Sequence, residues 1–373
     1  MELFVYDRDL NRLGMIEEIT SFIWTRRYSK VGEFNLLVPF TTKHRELLQK
    51  GNLIAKRDDS EAGEIKYIDF SQDTQGKEII EVQGKFITGW LGRRIIERQI
   101  LTNIPPPAII MQIVIENLIN PTNDLRKIDR LANTDFSQIS RANTEYISEP
   151  FINVGLAVEQ IAKAAELGYK IVADVREQLY NFSIYDGIDR SAAQQAKPQM
   201  VFSFEFDNIL EKTFIRSIER LRTTAYVGGE ILRDAPRRIV EIGENFAGLD
   251  RCEVYINASD IAQSWQDESG TQITLSNAEY NALLYQRGIQ ELINFIETMS
   301  FNAKVDNRIR PVYKKDYDLG DIVTCKDSKW GVSVNKRIVE VTETYQDHKT
   351  PEIDIIFGEG LPDFANVIKH INQ

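Results

Sequence analysis

Histidine and cysteine are scarce in this chain, three and two in 373 residues, and the scarcity removes whole classes of chemistry. Cys252 and Cys325 cannot build a disulfide framework, and neither lies in a CxxC or Cys/His cluster with metal-ligand spacing. Both are expected to be small buried hydrophobes. His44, His348 and His370 fall in a short polar helix, a turn and the tail, with no HxxxH or HxH spacing among them, so no metal site is expected. Long apolar runs are missing as well. The longest, around Ala108 to Ile115, is far shorter than the roughly 20 residues a membrane helix needs. The opening LFVY lacks a basic region followed by an apolar core, so no signal peptide and no membrane insertion are expected, and synthesis and assembly are placed in a cytoplasm. Basic charge is in deficit: 45 Lys and Arg stand against 56 Asp and Glu, a formal net charge of −11. That balance argues against a nucleic-acid reader, which neutralises phosphates with clustered Lys and Arg. No GxxxxGK[ST], GxGxxG after a strand, or GxSxG occurs, so nucleotide binding and elbow-type serine chemistry have no basis, and no cofactor is expected.

What the chain has instead is alternation, written twice. Gly51 to Gly84 and Gly320 to Gly358 each run through Gly, a polar residue and two aliphatics, then a turn-rich gap, a long alternating strand, a hairpin turn and a short strand closing on Gly. Gly51-Asn-Leu-Ile aligns with Gly320-Asp-Ile-Val, Ile65–Gln72 with Arg337–Thr344, and Glu78–Gly84 with Glu352–Gly358. Met200 to Glu230 can be laid against Met15 to Phe34 as the first half of the second copy, which makes a duplicated β-unit the simplest reading. The expected fold class is α+β and β-rich: two small β-units, barrel or sandwich, related by internal duplication, with α/β insertions; that both are β-barrels with the insertions packed at the periphery is what the family resemblance given below implies. Residues 1–97 form the first barrel, with a short Thr-capped helix within Thr41–Gln49 and a turn at Asp73–Gly76. Residues 98–199 form an α+β domain with helices near Ala108–Asn120 and Val154–Leu167, the second with Leu156, Ile161 and Ala165 inward, and strands Tyr169–Ala173 and Leu179–Tyr185. Residues 200–230 with 300–360 form the second barrel. Residues 231–299 are an insertion whose long helix opens with the capping box Ser276-x-x-Glu279, places Tyr280, Leu284, Leu292, Phe295 and Met299 on one face, and packs with the α+β domain. Residues 361–373 are a tail.

Adjacent acids such as Glu17-Glu18 and Asp58-Asp59 read as solvated pairs, because carboxylate catalysis needs groups converging from different elements. Asp316-Tyr-Asp-Leu-Gly-Asp321 offers three carboxylates but lacks the alternation and distal Glu of a calcium loop, and reads as a turn that uses Gly320 for its backbone shape. Trp24-Thr-Arg-Arg27 and Arg93-Arg94 are the compact basic spots near aromatics. Trp24, Arg26 and Arg27 are candidates for a subunit interface, where Trp and Arg are favoured; surface salt bridges are the alternative.

Five markers run in order along the chain: Trp24-Thr-Arg-Arg-Tyr-Ser-x-x-Gly-Glu-Phe34, Gly187-Ile-Asp-Arg-Ser191, Phe202-Ser-x-Glu-Phe-x-Asn208, Gly228-Gly-Glu230, and Lys315–Val323 with Trp330-Gly331. Together they resemble the tail-tip hub proteins of long-tailed siphophages, the region that precedes the lytic part of tail-associated lysins. Gly187-Ile-Asp-Arg departs from the Gly-Arg-Asp-Arg of that pattern. The resemblance implies two barrels like the tail-tube protein, and a homotrimer whose six barrels match a six-fold tube to a three-fold tip. It implies tube proteins and tip fibre, spike or lysin proteins as partners, a place in the virion, and a genome passing through or near the lumen without specific binding. The net acidity is then expected partly on the inward surface, with Glu17, Glu18, Asp58, Asp59 and Asp327 as candidates. No enzyme is expected. A tail-associated peptidoglycan hydrolase and a carbohydrate-binding receptor module are the alternatives.

Overall fold

Thirteen strands, numbered here in chain order, pair into one sheet. In the computed structural model, which describes residues 1–358 except 73, 150, 234, 244–245, 267–269, 271, 306–310 and 347–349, they are β1 (Leu3–Tyr6), β2 (Arg12–Ile16), β3 (Ser21–Arg27), β4 (Glu33–Pro39), β5 (Leu53–Lys56), β6 (Ala62–Gln72), β7 (Glu78–Phe86), β8 (Val201–Ser203), β9 (Ile209–Ser217), β10 (Thr298–Val305), β11 (Ile322–Asp327), β12 (Val332–Gln346) and β13 (Glu352–Gly358). Asp73, His348, His370 and the 361–373 tail lie outside the described residues. The sheet runs β9-β10-β13-β12-β3-β4-β7-β6-β5-β1-β2, with β11 also pairing β12 and β8 pairing β11. Alternation builds these strands. In β4 the buried positions are Phe34, Leu36 and Val38, and in β13 Ile353, Ile355 and Phe357.

The β12–β3 junction divides the sheet into two sides with matching order, β3-β4-β7-β6-β5-β1 and β9-β10-β13-β12-β11-β8. Local geometry matches as well. The Gly51 amide donates to the Ile65 carbonyl (3.0 Å) and Ile65 to Asn52 (2.9 Å), while Gly320 donates to Ile338 (2.9 Å) and Ile338 to Asp321 (2.8 Å). Gly51 and Gly320 have φ of +89° and +95°, values a side chain resists. Each long strand then slips by one residue, at Lys66 and at Val339. Pairing sets Ile65 opposite Gly84 and Ile338 opposite Phe357, one residue away from the sequence alignment of Gly84 with Gly358. The sides also differ. β1 is antiparallel to β5 whereas β8 is parallel to β11, and β2 has no counterpart.

The expected closed barrels are corrected. Among the described residues neither side closes on itself, because β12 pairs β11 through Val332–Arg337 and then offers the same edge, from Glu340 to Gln346, to β3. β9, the strand that would close the second side, is left at the far end of the sheet.

Each side has its own core, one around Phe22, Trp24, Phe34 and Val82, the other around Phe202, Phe301, Tyr317 and Phe357. A third core holds α2 (Pro106–Val114) and α3 (Val154–Ala164) against Leu53, Ala62 and Trp90. Three prolines start α2, and a single π-turn, Ile115–Ile119, continues it. In α3 the inward residues are Val154, Ala157, Val158 and Ile161; Leu156 is exposed, contrary to expectation, since it lies off the Val154–Val158–Ile161 stripe. The strand Thr224–Gly228 pairs with Ile239–Gly243 and Glu253–Asn257, so it belongs with the inserted segment, and the boundary at 230 cuts through that unit. α4 (Asn277–Leu292) carries the capping box, buries Tyr280 and Leu284, and shares a core with Ile147 of the 98–199 segment. It ends at Leu292, so Met299 is on β10 rather than on the helix face. Cys325 is buried; Cys252 is partly exposed.

Candidate functional site

The junction between the two sides is the feature around which charge is concentrated. Val341, Glu343 and Tyr345 of β12 face Arg26, Trp24 and Phe22 of β3 on the core side. Arg26 is 5% exposed, and its Nε donates to Glu61 Oε2 (2.9 Å) while Nη1 donates to the Tyr313 hydroxyl (2.7 Å) and Asp318 Oδ1 (3.0 Å). Trp24 Nε1 donates to Asp59 Oδ2 (3.1 Å), which also pairs with Lys314 (3.0 Å). Lys56, buried, reaches Glu343 (2.5 Å) and the Tyr345 hydroxyl (3.2 Å). Burial alone would push Asp59 up, but Arg26, Lys314 and Lys56 outweigh it and hold that carboxyl well below its ordinary value. Burial pushes Glu61 up, with Arg26 opposing. Burial would likewise lower Lys314, yet Asp59, Glu343 and Asp58 raise it to about 12.

Trp24 and Arg26 are therefore buried inside the chain, and the contact with a neighbouring subunit expected of them is corrected to one between two sides of one chain. The carboxylates that draw Arg26 inward are distant in sequence, which is why no local pattern announces its burial. Arg27 of β3, a quarter exposed, reaches Glu33 of β4 (2.7 Å) on one side and Glu340 of β12 (2.6 Å) on the other.

Away from the cores, the same sheet presents a continuous polar face. One row crosses it strand by strand, Glu211, Lys304, Asp354, Thr342, Thr25, Glu33 and Lys85 lying opposite one another in turn. Glu81 and Asp69 face each other on the next strands, and Glu340 and Glu352 add to a surface on which acids outnumber bases. Burial pushes the Asp354 carboxyl up against the pull of Lys304, and Glu352 and Glu211 push the same way. Of the acids named from sequence for an inward surface, Asp59 and Asp327 are buried in ion pairs with Lys314 and Lys212; Glu17, Glu18 and Asp58 are exposed and lie between strands.

Two of the sequence markers meet in space. Ile188 N donates to Asp321 Oδ1 (2.9 Å), Arg190 Nε to Asp321 Oδ2 (2.8 Å), and the 188–190 backbone exchanges bonds with Ile322. Asp316 accepts from Val312 N and Asp318 from Arg26, so the three carboxylates of this loop each serve a different donor.

The profile of the Siphovirus ReqiPepy6 Gp37-like protein family matches residues 2–359. The chain belongs to that family. Solved structures agree on the fold. The 43 kDa tail protein of prophage MuSo2 from Shewanella oneidensis is 13% identical, covers 96% of this chain and 98% of its own, and superposes with a TM-score of 0.58. The tail protein from Neisseria meningitidis is 11% identical, with 96% of each chain covered and a TM-score of 0.58. Prophage tail protein gp18 from Listeria monocytogenes is 12% identical, covers all of this chain and 98% of its own, and gives 0.52. A comparison with curated proteins gives no match by sequence.

In this family member, sequence reasoning missed Glu64. It sits on β6 with its side chain 1% exposed, accepting from Arg8 (2.7 Å), Arg93 (2.7 Å), Trp90 Nε1 (2.9 Å) and Lys66, and it ties β6 to the β1–β2 loop and to the Ile87–Arg93 turn that follows β7. Its one sequence signal is an acid among Ala62, Gly63 and Ile65 in a buried run. Burial would raise its carboxyl, but the bonds from Lys66, Trp90 and Arg93 hold it at about 2 against an ordinary 4.5. A depressed carboxyl contributes stability that is complete above pH ~4.5 and is lost as pH falls toward ~2, on the order of 3 kcal/mol. Urea unfolding followed between these pH values should show this loss in the wild type and a flatter profile in Glu64→Gln. Parallel profiles would rule out the assignment.

Proposed function

We propose that this chain is a phage tail protein and a hub of the tail tip, in which each chain supplies two tube-like units and three chains form a ring that adapts a six-fold tube to three-fold components beyond it. The observation that carries the reading is the matching strand order on the two sides of the β12–β3 junction, with the paired Gly51/Ile65 and Gly320/Ile338 bonds in support of a duplicated unit. A chain with two like units side by side offers a six-fold neighbour the repeat it needs at half the copy number. The polar face of the sheet is the lumen surface in this reading. Its acid excess leaves passing DNA mobile, where a basic lining would hold phosphate through counterion release. The partners are tube proteins on one side and fibre, spike or lysin proteins on the other, and the role is structural rather than catalytic.

Electron microscopy of assembled tails is the test: the chain should form a three-fold hub at the tube end with the Glu33 and Asp354 face inward. A hub of other symmetry, or a lumen lined by Lys and Arg, would overturn the reading. Zymography on cell walls addresses the hydrolase alternative, for which a lytic band would be required, and a glycan array addresses the receptor module.

A further inference from the structure

Charge is out of balance at one further place, where the inserted 231–299 unit meets the 98–199 segment. A cavity of about 240 Å³ opens there, lined by residues 254–257 together with Glu149, Arg287, Glu291 and Phe295. Consecutive residues of a strand send their side chains to alternate faces, so a run such as 254–257 can line one cavity only along the strand's edge. That edge is free. The Glu253–Asn257 strand pairs on one side, parallel to Thr224–Gly228, and among the described residues no backbone bond reaches its other side. It carries neither the Pro nor the Lys that commonly blunts an open edge.

The charges beside this edge do not cancel. Arg287, 3% exposed, is spent on Asp260, to which its two Nη atoms donate (3.2 and 2.9 Å), and it stands 3.9 Å from Glu149. Glu291 is partly buried and forms no ion pair among the described residues. Burial pushes its carboxyl up, Glu149 adds to the push, and Arg287 opposes them. Glu291 also lies in the last turn of α4, where no basic residue stands, so the negative end of the helix adds to the same field. Glu149, Glu291 and Asp260 thus share one guanidinium, and the cavity lacks a cation. Its volume is below the roughly 300–1,000 Å³ of small-molecule sites and suits a single long side chain.

We propose that the cavity seats the charged end of a Lys or Arg belonging to an extended segment of a partner protein, which adds to the free edge of Glu253–Asn257 as a further strand. Main-chain bonds to the edge hold the segment, and strand alternation selects its side chains. Every second residue faces Glu149, Glu291 and Phe295. The others lie on the opposite face beside Tyr255, which is exposed there, while Val254 and Ile256 turn inward to the α4 core. This contact goes beyond the hub reading and does not depend on it, since it involves neither the main sheet nor the number of copies.

The test is fluorescence anisotropy of the full chain with a short labelled peptide of alternating Thr and Val whose central Val is replaced by Lys. The Lys peptide should bind about tenfold or more tighter than one with norleucine at the centre, and a central Glu should abolish binding. N-methylation of one alternate set of peptide amides should abolish binding and of the other set leave it unchanged, because a strand on an edge bonds through every second residue. Glu149→Gln with Glu291→Gln should remove the preference for Lys over norleucine at an unchanged melting temperature. Glu291→Gln alone, which breaks no ion pair, should reduce that preference and serves if the double variant folds poorly. No binding of the Lys peptide, or equal binding of the Lys and norleucine peptides, would overturn the proposal. Equal effects of the two N-methylated sets would overturn strand addition. Self-association of the chain that the Lys peptide reverses would make the occupant a second copy and overturn the separate partner.

Discussion

Arg26→Met is expected to cost the chain about 3–5 kcal/mol, because it removes the cation from a buried set of carboxylates without removing the carboxylates. Glu61 would lose the donor to its Oε2, and Asp59 would be left with Lys314 as its ion-pair partner and the Trp24 indole as a donor. The Tyr313 hydroxyl and Asp318 would lose the donor that draws the 313–318 segment onto β3. Methionine matches the volume of the Arg side chain, so the loss is electrostatic and not a cavity. The double variant Arg26→Met with Glu61→Leu should recover much of the loss, since replacing a buried ion pair by apolar residues is often close to neutral. A double-mutant cycle by chemical denaturation, with a coupling above 1 kcal/mol, would establish the pair; an Arg26→Met chain within 1 kcal/mol of wild type would refute it. Since the network holds the β12–β3 junction, the single variant should also become protease-sensitive near residues 313–318 before the rest of the chain.

Much of the fold is legible in the sequence wherever a residue's role is set by its neighbours. Alternation alone places Leu179–Tyr185 as observed, and the Gly51 and Gly320 positions are found because only a glycine relaxes into their backbone shape. The two stretches aligned from sequence do lie on strands of matching order, though pairing sets Ile65 in the place of Ile338 and not of Arg337. Reasoning fails where the deciding partner is remote. Nothing near Thr224–Gly228 tells which sheet will take that strand, and nothing near Trp24 or Arg26 tells that Asp59, Glu61 and Asp318 will enclose them.

Gly187→Ala is the second change expected to be severe, about 3 kcal/mol or more, and for a steric reason rather than an electrostatic one. A Cβ at Gly187 would lie 1.7 Å from the Gly320 carbonyl oxygen and 2.8 Å from Asp321 N, both backbone atoms. Gly320 cannot retreat, because its amide is bonded to Ile338, its φ is +95°, and the Tyr28 ring fills the space beside it. Residue 187 would have to move instead, and that movement would break Ile188 N to Asp321, Ile322 N to Ile188 O and Arg190 N to Ile322 O together. Those bonds fasten the end of the Leu179–Tyr185 strand to β11, so the 98–199 segment would be loosened from the second side of the sheet. Gly89→Ala is the matched control: its Cβ would meet only Val31 Cγ1 at 3.3 Å and Lys85 Cβ at 3.8 Å, contacts that a small shift relieves, and its loss should stay within about 1 kcal/mol. Denaturation midpoints for the two variants, with limited proteolysis of residues 186–200 as a local readout, decide the matter. Equal stability of Gly187→Ala and Gly89→Ala would mean that the approach of the 187 and 320 backbones is not tight in solution.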